Sequence, residues 1–316
     1  MAALDLLDRR LVFVTGKGGV GKTTVAAGLA LLGAQRGKRT LVCEVEPKGD
    51  LEDFFESGPV RYDAREVQPE LFAMAMDTER SLDEYLRLVL RVPVMGRMGP
   101  VARMFDFVAT AAPGVKEILT VGKLAYEVRE RRYDLVVVDA SATGHIVGQL
   151  AAPEAINSMV QVGLIRSQTD WVLRILSDPS RTGVVIVTTP EEMPVNETID
   201  LTTRVRKETS VQVAAVVVNR VLPELFGRGE EAVFERLRAA PRDEVNAAVG
   251  GDLEPLLSAA RLAVTLRRAR AAHLERLRDA LGPEMPLLYL PYLFARTSGL
   301  RSTRVVAESL AAELGY

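Results

Sequence analysis

Residues 16–23 read Gly-Lys-Gly-Gly-Val-Gly-Lys-Thr. Four glycines, a lysine and a hydroxyl at this spacing suit one task, the holding of a polyphosphate. Gly16, Gly18, Gly19 and Gly21 let the backbone curl until successive N–H groups point at phosphate oxygens. Val20 between them and Thr24 behind them complete the candidate binding loop. Lys22 is placed to meet the β- and γ-phosphates, and the Thr23 hydroxyl to ligate Mg2+. At average composition, four glycines fall on four fixed positions roughly 2 times in 100,000 starts, so chance is a poor account of the loop. A second lysine, Lys17, stands at the start of the loop, where an ordinary phosphate loop needs none.

The loop does chemistry only if a strand delivers it and a helix leaves it. The apolar run at 11–15 and the helical pattern at 22–36 supply both. Further strands are expected at 39–45, 71–76, 134–138, 183–188, 212–218 and 286–290. Several are apolar on both faces, as in Leu135-Val136-Val137-Val138, which suits central strands of a parallel sheet covered on both sides. Crossover helices fit at 78–91, 191–208 and 302–314. The expected fold is therefore α/β, a doubly wound and mostly parallel sheet carrying an inserted α-helical subdomain.

That insertion is read from an interval too long for one crossover. It spans about 78–132 and continues at about 153–178, within a single domain of residues 1–316. It holds Met95, Met98, Met104, Phe105, Phe107, Ile118, Leu119 and Leu124, either as core or as an adaptable groove for a protein or membrane client. A second long stretch, 253–281, is amphipathic through Leu253, Leu256, Leu257, Ala260, Val264, Leu274, Leu277 and Leu281. Its basic run Arg267-Arg268-Ala269-Arg270 reads as a solvated face.

Ligands in such sheets lie beyond the carboxyl ends of the strands, so carboxylates there are candidates for the chemistry. Asp139 ends the run 135–138 and is placed to hold Mg2+, directly or through water. Glu44 and Glu46 alternate onto one face of a strand that Pro47 is expected to terminate.

Composition narrows the classes. The 40 basic and 42 acidic residues leave a net charge of −2, which does not favour a nucleic-acid surface. One cysteine, Cys43, rules out a disulfide framework, a CxxC zinc clasp, a multi-cysteine arsenite site and an iron–sulfur ligand set within one chain. The N-terminal residues lack a signal-peptide pattern and no apolar run approaches the ~20 residues of a membrane span, so a cytoplasmic location is expected.

The pattern K-G-G-x-G-K-[ST] resembles the deviant Walker A motif of dimeric ATPases. Asp139-Ala-Ser-Ala-Thr-Gly-His145 with Ala152-Pro153-Glu154-Ala155 resembles the switch II region of the ArsA-type ATPases, which include the arsenite-pump and tail-anchored-protein-targeting ATPases. Pro113–Glu117 is similar to their helical-subdomain segment, 216–220 to their adenine-contacting strand end, and 286–296 to their late adenine-side loop. The resemblance implies a bacterial, single-half ATPase that works as a homodimer or a heterodimer with a paralogous subunit. It implies that Lys17 reaches the partner's nucleotide, that Asn219, Arg220, Pro291 and Tyr292 line the base, and that Glu46 activates water. The chain departs from the family at Glu46, where the family has an aspartate before proline. An added methylene matters because an error of ~1 Å can cost on the order of 100-fold in rate.

Two other classes compete. A partition- or septum-site ATPase needs a basic DNA-binding face or a basic amphipathic membrane helix, and the segment 304–316 is not strongly basic. A nucleotide-dependent regulatory half of a heterodimer, with little turnover of its own, fits the departure at Glu46.

Overall fold

The structure is a computed structural model, and it describes residues 6–90, 114–159, 163–224, 227, 229–294 and 299–316. Met95, Met98, Met104, Phe105 and Phe107, the heart of the expected methionine-rich segment, lie outside the described residues.

The chain runs β1 (Leu11–Gly16), α1 (Lys22–Gln35), β2 (Thr40–Glu44), α2 (Asp50–Phe55), β3 (Arg65–Gln68), β4 (Leu71–Ala75), α3 (Thr78–Leu90), α4 (Val115–Arg129), β5 (Leu135–Ala142), α5 (Thr143–Met159) and α6 (Leu164–Leu176). It continues through β6 (Thr182–Thr188), α7 (Glu192–Glu208), β7 (Val213–Val221), α8 (Glu230–Ala239), α9 (Arg242–Val249), α10 (Glu254–Leu281), β8 (Leu287–Pro291) and α11 (Leu300–Leu314). The eight strands form one sheet in the order β3-β4-β2-β5-β1-β6-β7-β8. All pairings are parallel except β3 with β4.

Each central strand is buried over most of its length, and this follows from its composition. Leu11, Phe13, Val136 and Val138 turn to one core, and Val12, Val14, Leu135 and Val137 to the other. The second core is closed by α1, α2 and α11, where Val25, Leu29, Leu51, Phe55, Val306 and Leu310 meet. Since α1 is sandwiched between sheet and α11, residues 25–34 are buried all round, which explains a helix with almost no polar face. The first core is covered by α4, α5, α6 and α7, with Leu277 and Leu281 from the far end of α10. Ile118 is half-buried, and Leu119 and Leu124 of α4 are core residues.

Three differences from the sequence reading have physical causes. β3 was not expected; its Arg65-Glu66-Val67-Gln68 is polar and largely exposed, as an edge strand tolerates. The amphipathic stretch 253–281 is a single helix, but only its last turns reach the core. Leu256, Leu262 and Leu266 are exposed along its first half, and Val233 and Leu237 on α8 are exposed too. The basic run on α10 is not simply solvated either: Arg267 pairs with Glu224 at 3.2 Å and Arg270 with Glu191 at 3.9 Å. Cys43 is buried within β2, and burial pushes its thiol pKa up. No helix among the described residues is long and apolar enough to cross a membrane.

Candidate functional site

β1 lies between β5 and β6, where the strand order changes direction, and its carboxyl end opens into the glycine loop. Gly16 takes φ +149°, and a Cβ there would fall 2.1 Å from the Val187 carbonyl oxygen on β6. No side chain fits this seam. Gly21 takes φ +95° at the N-cap of α1, and no side chain caps the helix. Its first N–H groups and positive dipole end are therefore presented to an anion. Asn219, at the end of β7, donates from Nδ2 to the Val20 carbonyl at 2.9 Å and accepts the Arg220 amide at 2.9 Å. Buried Asn219 thus braces the loop from behind.

Thr23 and Asp139 meet at the front of α1. The Thr23 hydroxyl donates to Asp139 Oδ2 at 2.7 Å. Asp139 is 7% exposed, and its Oδ1 is buried without a hydrogen-bond partner. Burial pushes its pKa up to about 6, against the Thr23 hydrogen bond and the Lys22 charge, which lower it. A buried carboxylate oxygen beside a hydroxyl is a hard-oxygen donor pair, and it fits a small divalent cation such as Mg2+. Lys22 follows from the same turn. Its ammonium lies 3.4 Å from the Lys17 carbonyl. Burial lowers its pKa, the charge of Asp139 raises it, Lys48 lowers it and Glu46 raises it. Lys22, Asp139, Lys48 and Glu46 therefore share one electrostatic neighbourhood.

The strand end carrying Glu44 and Glu46 departs from the expected geometry. β2 stops at Glu44, so the two glutamates do not alternate along a strand, and Pro47 is not what terminates it. Glu44 is buried and accepts the Lys48 amide at 2.9 Å, so its carboxylate ends the strand by holding the following turn. Burial raises its pKa, partly offset by that amide. Glu46 stands in the bend beyond it, exposed to solvent on the side of Lys22. Glu44 is thus a shaping residue of the turn, and Glu46 is the solvent-exposed carboxylate.

Lys17 is not loose at the loop's start. Its ammonium is ion-paired with Oε1 of Glu197 on α7 of the same chain, and Oε2 of Glu197 accepts the Thr143 hydroxyl at 3.4 Å. On the base side, Arg220 adopts φ +60°, a left-handed conformation uncommon outside glycine, and is exposed. Pro291 closes β8, and the Tyr292 amide donates to the Val221 carbonyl at 2.8 Å, so the ends of β7 and β8 are tied together. The rings of Tyr292 and Phe294 stack at a tilt, 4.9 Å apart, and both are exposed.

The sheet thus gathers Gly16 to Thr24, Asp139 and Asn219 at the carboxyl ends of β1, β5 and β7, with Glu44 and Glu46 at the end of β2. Arg220, Pro291 and Tyr292 lie at the outer strand ends. Sequence reading missed Glu197 and the turn-holding role of Glu44. Nothing in the sequence around Glu197 marks it, because its contact with Lys17 spans 180 positions. The role of Glu44 was available in principle, since a carboxylate four residues ahead of an amide in a Pro-Lys-Gly turn is a local acceptor.

Comparison with known proteins supports the same chemistry. The family model described as Anion-transporting ATPase matches residues 9–172 and 165–240. ATPase BagA of Mycobacterium tuberculosis is 32% identical over 225 residues, 68% of this chain and 66% of that protein. ATPase GET3C of Arabidopsis thaliana is 27% identical over 267 residues, 69% of this chain and 68% of that protein. ATPase GET3 of Podospora anserina is 30% identical over 173 residues, 54% of this chain and 51% of that protein. The match to the mycobacterial relative thus spans about two thirds of its length. With the loop, its hydroxyl–carboxylate pair and the parallel sheet that holds them, the family-model match over residues 9–240 shows that the chain belongs to the ArsA family of anion-transporting ATPases.

Proposed function

We propose that the chain is a Mg2+-dependent ATP hydrolase that couples its nucleotide state to the opening and closing of a dimer, and through its helices to a protein or membrane client. The observation that carries the ATPase reading is the Thr23–Asp139 pair beside Lys22 at the uncapped start of α1. The loop amides and Lys22 would hold the β- and γ-phosphates, and Thr23 with Asp139 would hold Mg2+. When bound, the metal neutralises charge on the phosphate oxygens. Glu46 accepts a hydrogen bond from the attacking water and orients it, so catalysis is positioning and charge stabilisation with no covalent step on the protein. Asn219 keeps the loop in register, while Arg220, Pro291 and Tyr292 border the base. The helical subdomain, 78–132 continued at 153–178, is the proposed link to the client, since α4, α5 and α6 pack on one another over the sheet face of Phe13, Val136 and Val138, and α3 packs on α4. The setting is proposed to be cytoplasmic, and the assembly a homodimer or a heterodimer with a paralogue.

The experiment that tests this reading is Lys17→Ala. Fold and much of the ATP binding should survive, because Lys17 is a partly exposed loop side chain. ATP-dependent association, followed by sedimentation with and without nucleotide, should be lost together with hydrolysis. A wild-type chain that hydrolyses ATP while strictly monomeric at every concentration removes the dimer reading.

A second measurement concerns Glu46. Glu46→Gln keeps the shape of the side chain and removes its ability to accept a proton or polarise water. ATP affinity should stay near wild type while phosphate release falls on the order of 100-fold or more, within the usual range for a lost general base. Glu46→Asp should retain or raise the rate. Hydrolysis by the Gln variant at the wild-type rate would place the base elsewhere, in this chain or on a partner subunit, and would favour the regulatory-half reading.

A further inference from the structure

Glu197 joins two pieces of the site that the strand ends alone do not connect. It lies on α7, outside the row of Val195, Thr198, Leu201, Thr202 and Val205 that faces the core. One carboxylate oxygen takes the ammonium of Lys17 from the glycine loop. The other accepts the hydroxyl of Thr143, the first residue of α5 and four positions beyond Asp139. Both ionic partners keep solvent access, with side-chain exposures of 26% for Lys17 and 35% for Glu197. A pair in that setting is held weakly and exchanges readily against a stronger anion. Among the described residues, no other carboxylate within ion-pair distance of Lys17 is seen.

We propose that Glu197 is a positioning residue for Lys17. It parks the ammonium against its own chain when no partner nucleotide is present, and gives it up to the polyphosphate that a second chain brings. This rests on the cross-interface reading of Lys17. It adds that the transfer is a competition between a carboxylate in the same chain and a more highly charged anion across the interface.

Two measurements on the full chain separate this proposal from the reading beneath it. The first needs no dimer. Trace acetylation of the nucleotide-free protein with acetic anhydride, read by mass spectrometry, should label Lys17 several-fold faster in Glu197→Gln than in wild type, with the other lysines unchanged. Equal labelling overturns the parking contact. The second is the protein concentration at which ATP plus Mg2+ drives association. Glu197→Gln keeps an acceptor for Thr143 but loses the attraction for Lys17, so the midpoint should fall by up to about 30-fold, the scale of two exposed ion pairs, one in each chain. In a Lys17→Ala background, where association is lost, the same substitution should not restore it. A midpoint that rises or stays put, while Lys17→Ala still abolishes association, overturns the role of Glu197 alone. Association restored by Glu197→Gln in the Lys17→Ala background shows that Glu197 acts without Lys17 and also overturns it. Association that survives Lys17→Ala overturns the cross-interface reading and the hand-over with it, while the labelling result stands by itself.

Discussion

Lys22→Ala is expected to give a folded protein that no longer handles ATP. Lys22 supplies the side-chain charge aimed at the β- and γ-phosphates from the first turn of α1, where the backbone N–H groups converge on the same anion. Losing one such positioned charge in an enclosed site costs on the order of 100- to 1,000-fold in turnover. ATP affinity should fall too, because the lysine meets phosphates in the ground state as well as in the transition state. The fold should not suffer. The Lys22 ammonium makes one long hydrogen bond, 3.4 Å to the Lys17 carbonyl, and its burial works against its charge. Removing a partly buried cation lifts that penalty, so the melting temperature without nucleotide should match or exceed wild type, while the stabilisation normally gained from Mg2+ and ATP disappears. Lys22→Arg should not rescue, since a planar fork does not replace a compact ammonium inside a glycine loop. Titration of a fluorescent ATP analogue, phosphate release and thermal melts give the three readouts. Wild-type affinity and turnover in the Ala variant would refute the phosphate-loop assignment.

The parts of this site that were legible in the sequence are those whose partners are local. The loop at 16–23 is one continuous stretch between a strand and a helix, so its residues and their context appear together. Asp139 was legible because four apolar residues lead into it, although β5 runs on past it to Ala142 and the strand expected from the sequence ends at 138. The sheet was legible for the same reason: β1, β2, β5, β6 and β7 are buried throughout most of their lengths. β3 was not, because a short polar edge strand carries no apolar pattern. The two helices α8 and α9 were missed for a related cause, being short and charged with few buried positions. Periodicity along 253–281 announced an apolar stripe but not where its cover ends: Leu257 is buried near the start and Leu277 and Leu281 near the end, while Leu256, Leu262 and Leu266 stay exposed. The assignments at Glu44 and Glu46 turned on a single residue of strand length. One hydrogen bond, from the Lys48 amide to Glu44, decided which carboxylate is buried and which is exposed. Glu197 was beyond reach, because no local pattern tells one glutamate on a charged helix from its neighbours.

Asp139→Asn should move stability and turnover in opposite directions. The carboxylate is 7% exposed with one oxygen unpartnered, and burial lifts its pKa from 3.8 to about 6. For an acid whose folded pKa lies above its unfolded value, the penalty is absent below the unfolded pKa. It grows as pH rises and is complete above the folded one. Here that window runs from about pH 4 to about pH 6, which sets a ceiling of about 3 kcal/mol on the penalty. Asparagine keeps the size and an acceptor for Thr23 but carries no charge. Without nucleotide or metal, the variant should therefore melt a few degrees above wild type near pH 8, and the difference should close as the pH falls through the window. Hydrolysis should go the other way, dropping on the order of 100-fold or more, because an amide is a poor replacement for an anionic ligand to Mg2+. The melting shift produced by Mg2+ with ATP should shrink in step. A buried carboxylate that weakens the resting fold and is kept for the reaction is the trade expected of a working site. A variant less stable than wild type at neutral pH would show that the carboxylate has partners in the fold that this account lacks. Undiminished turnover in the variant would remove Asp139 from the metal-holding pair.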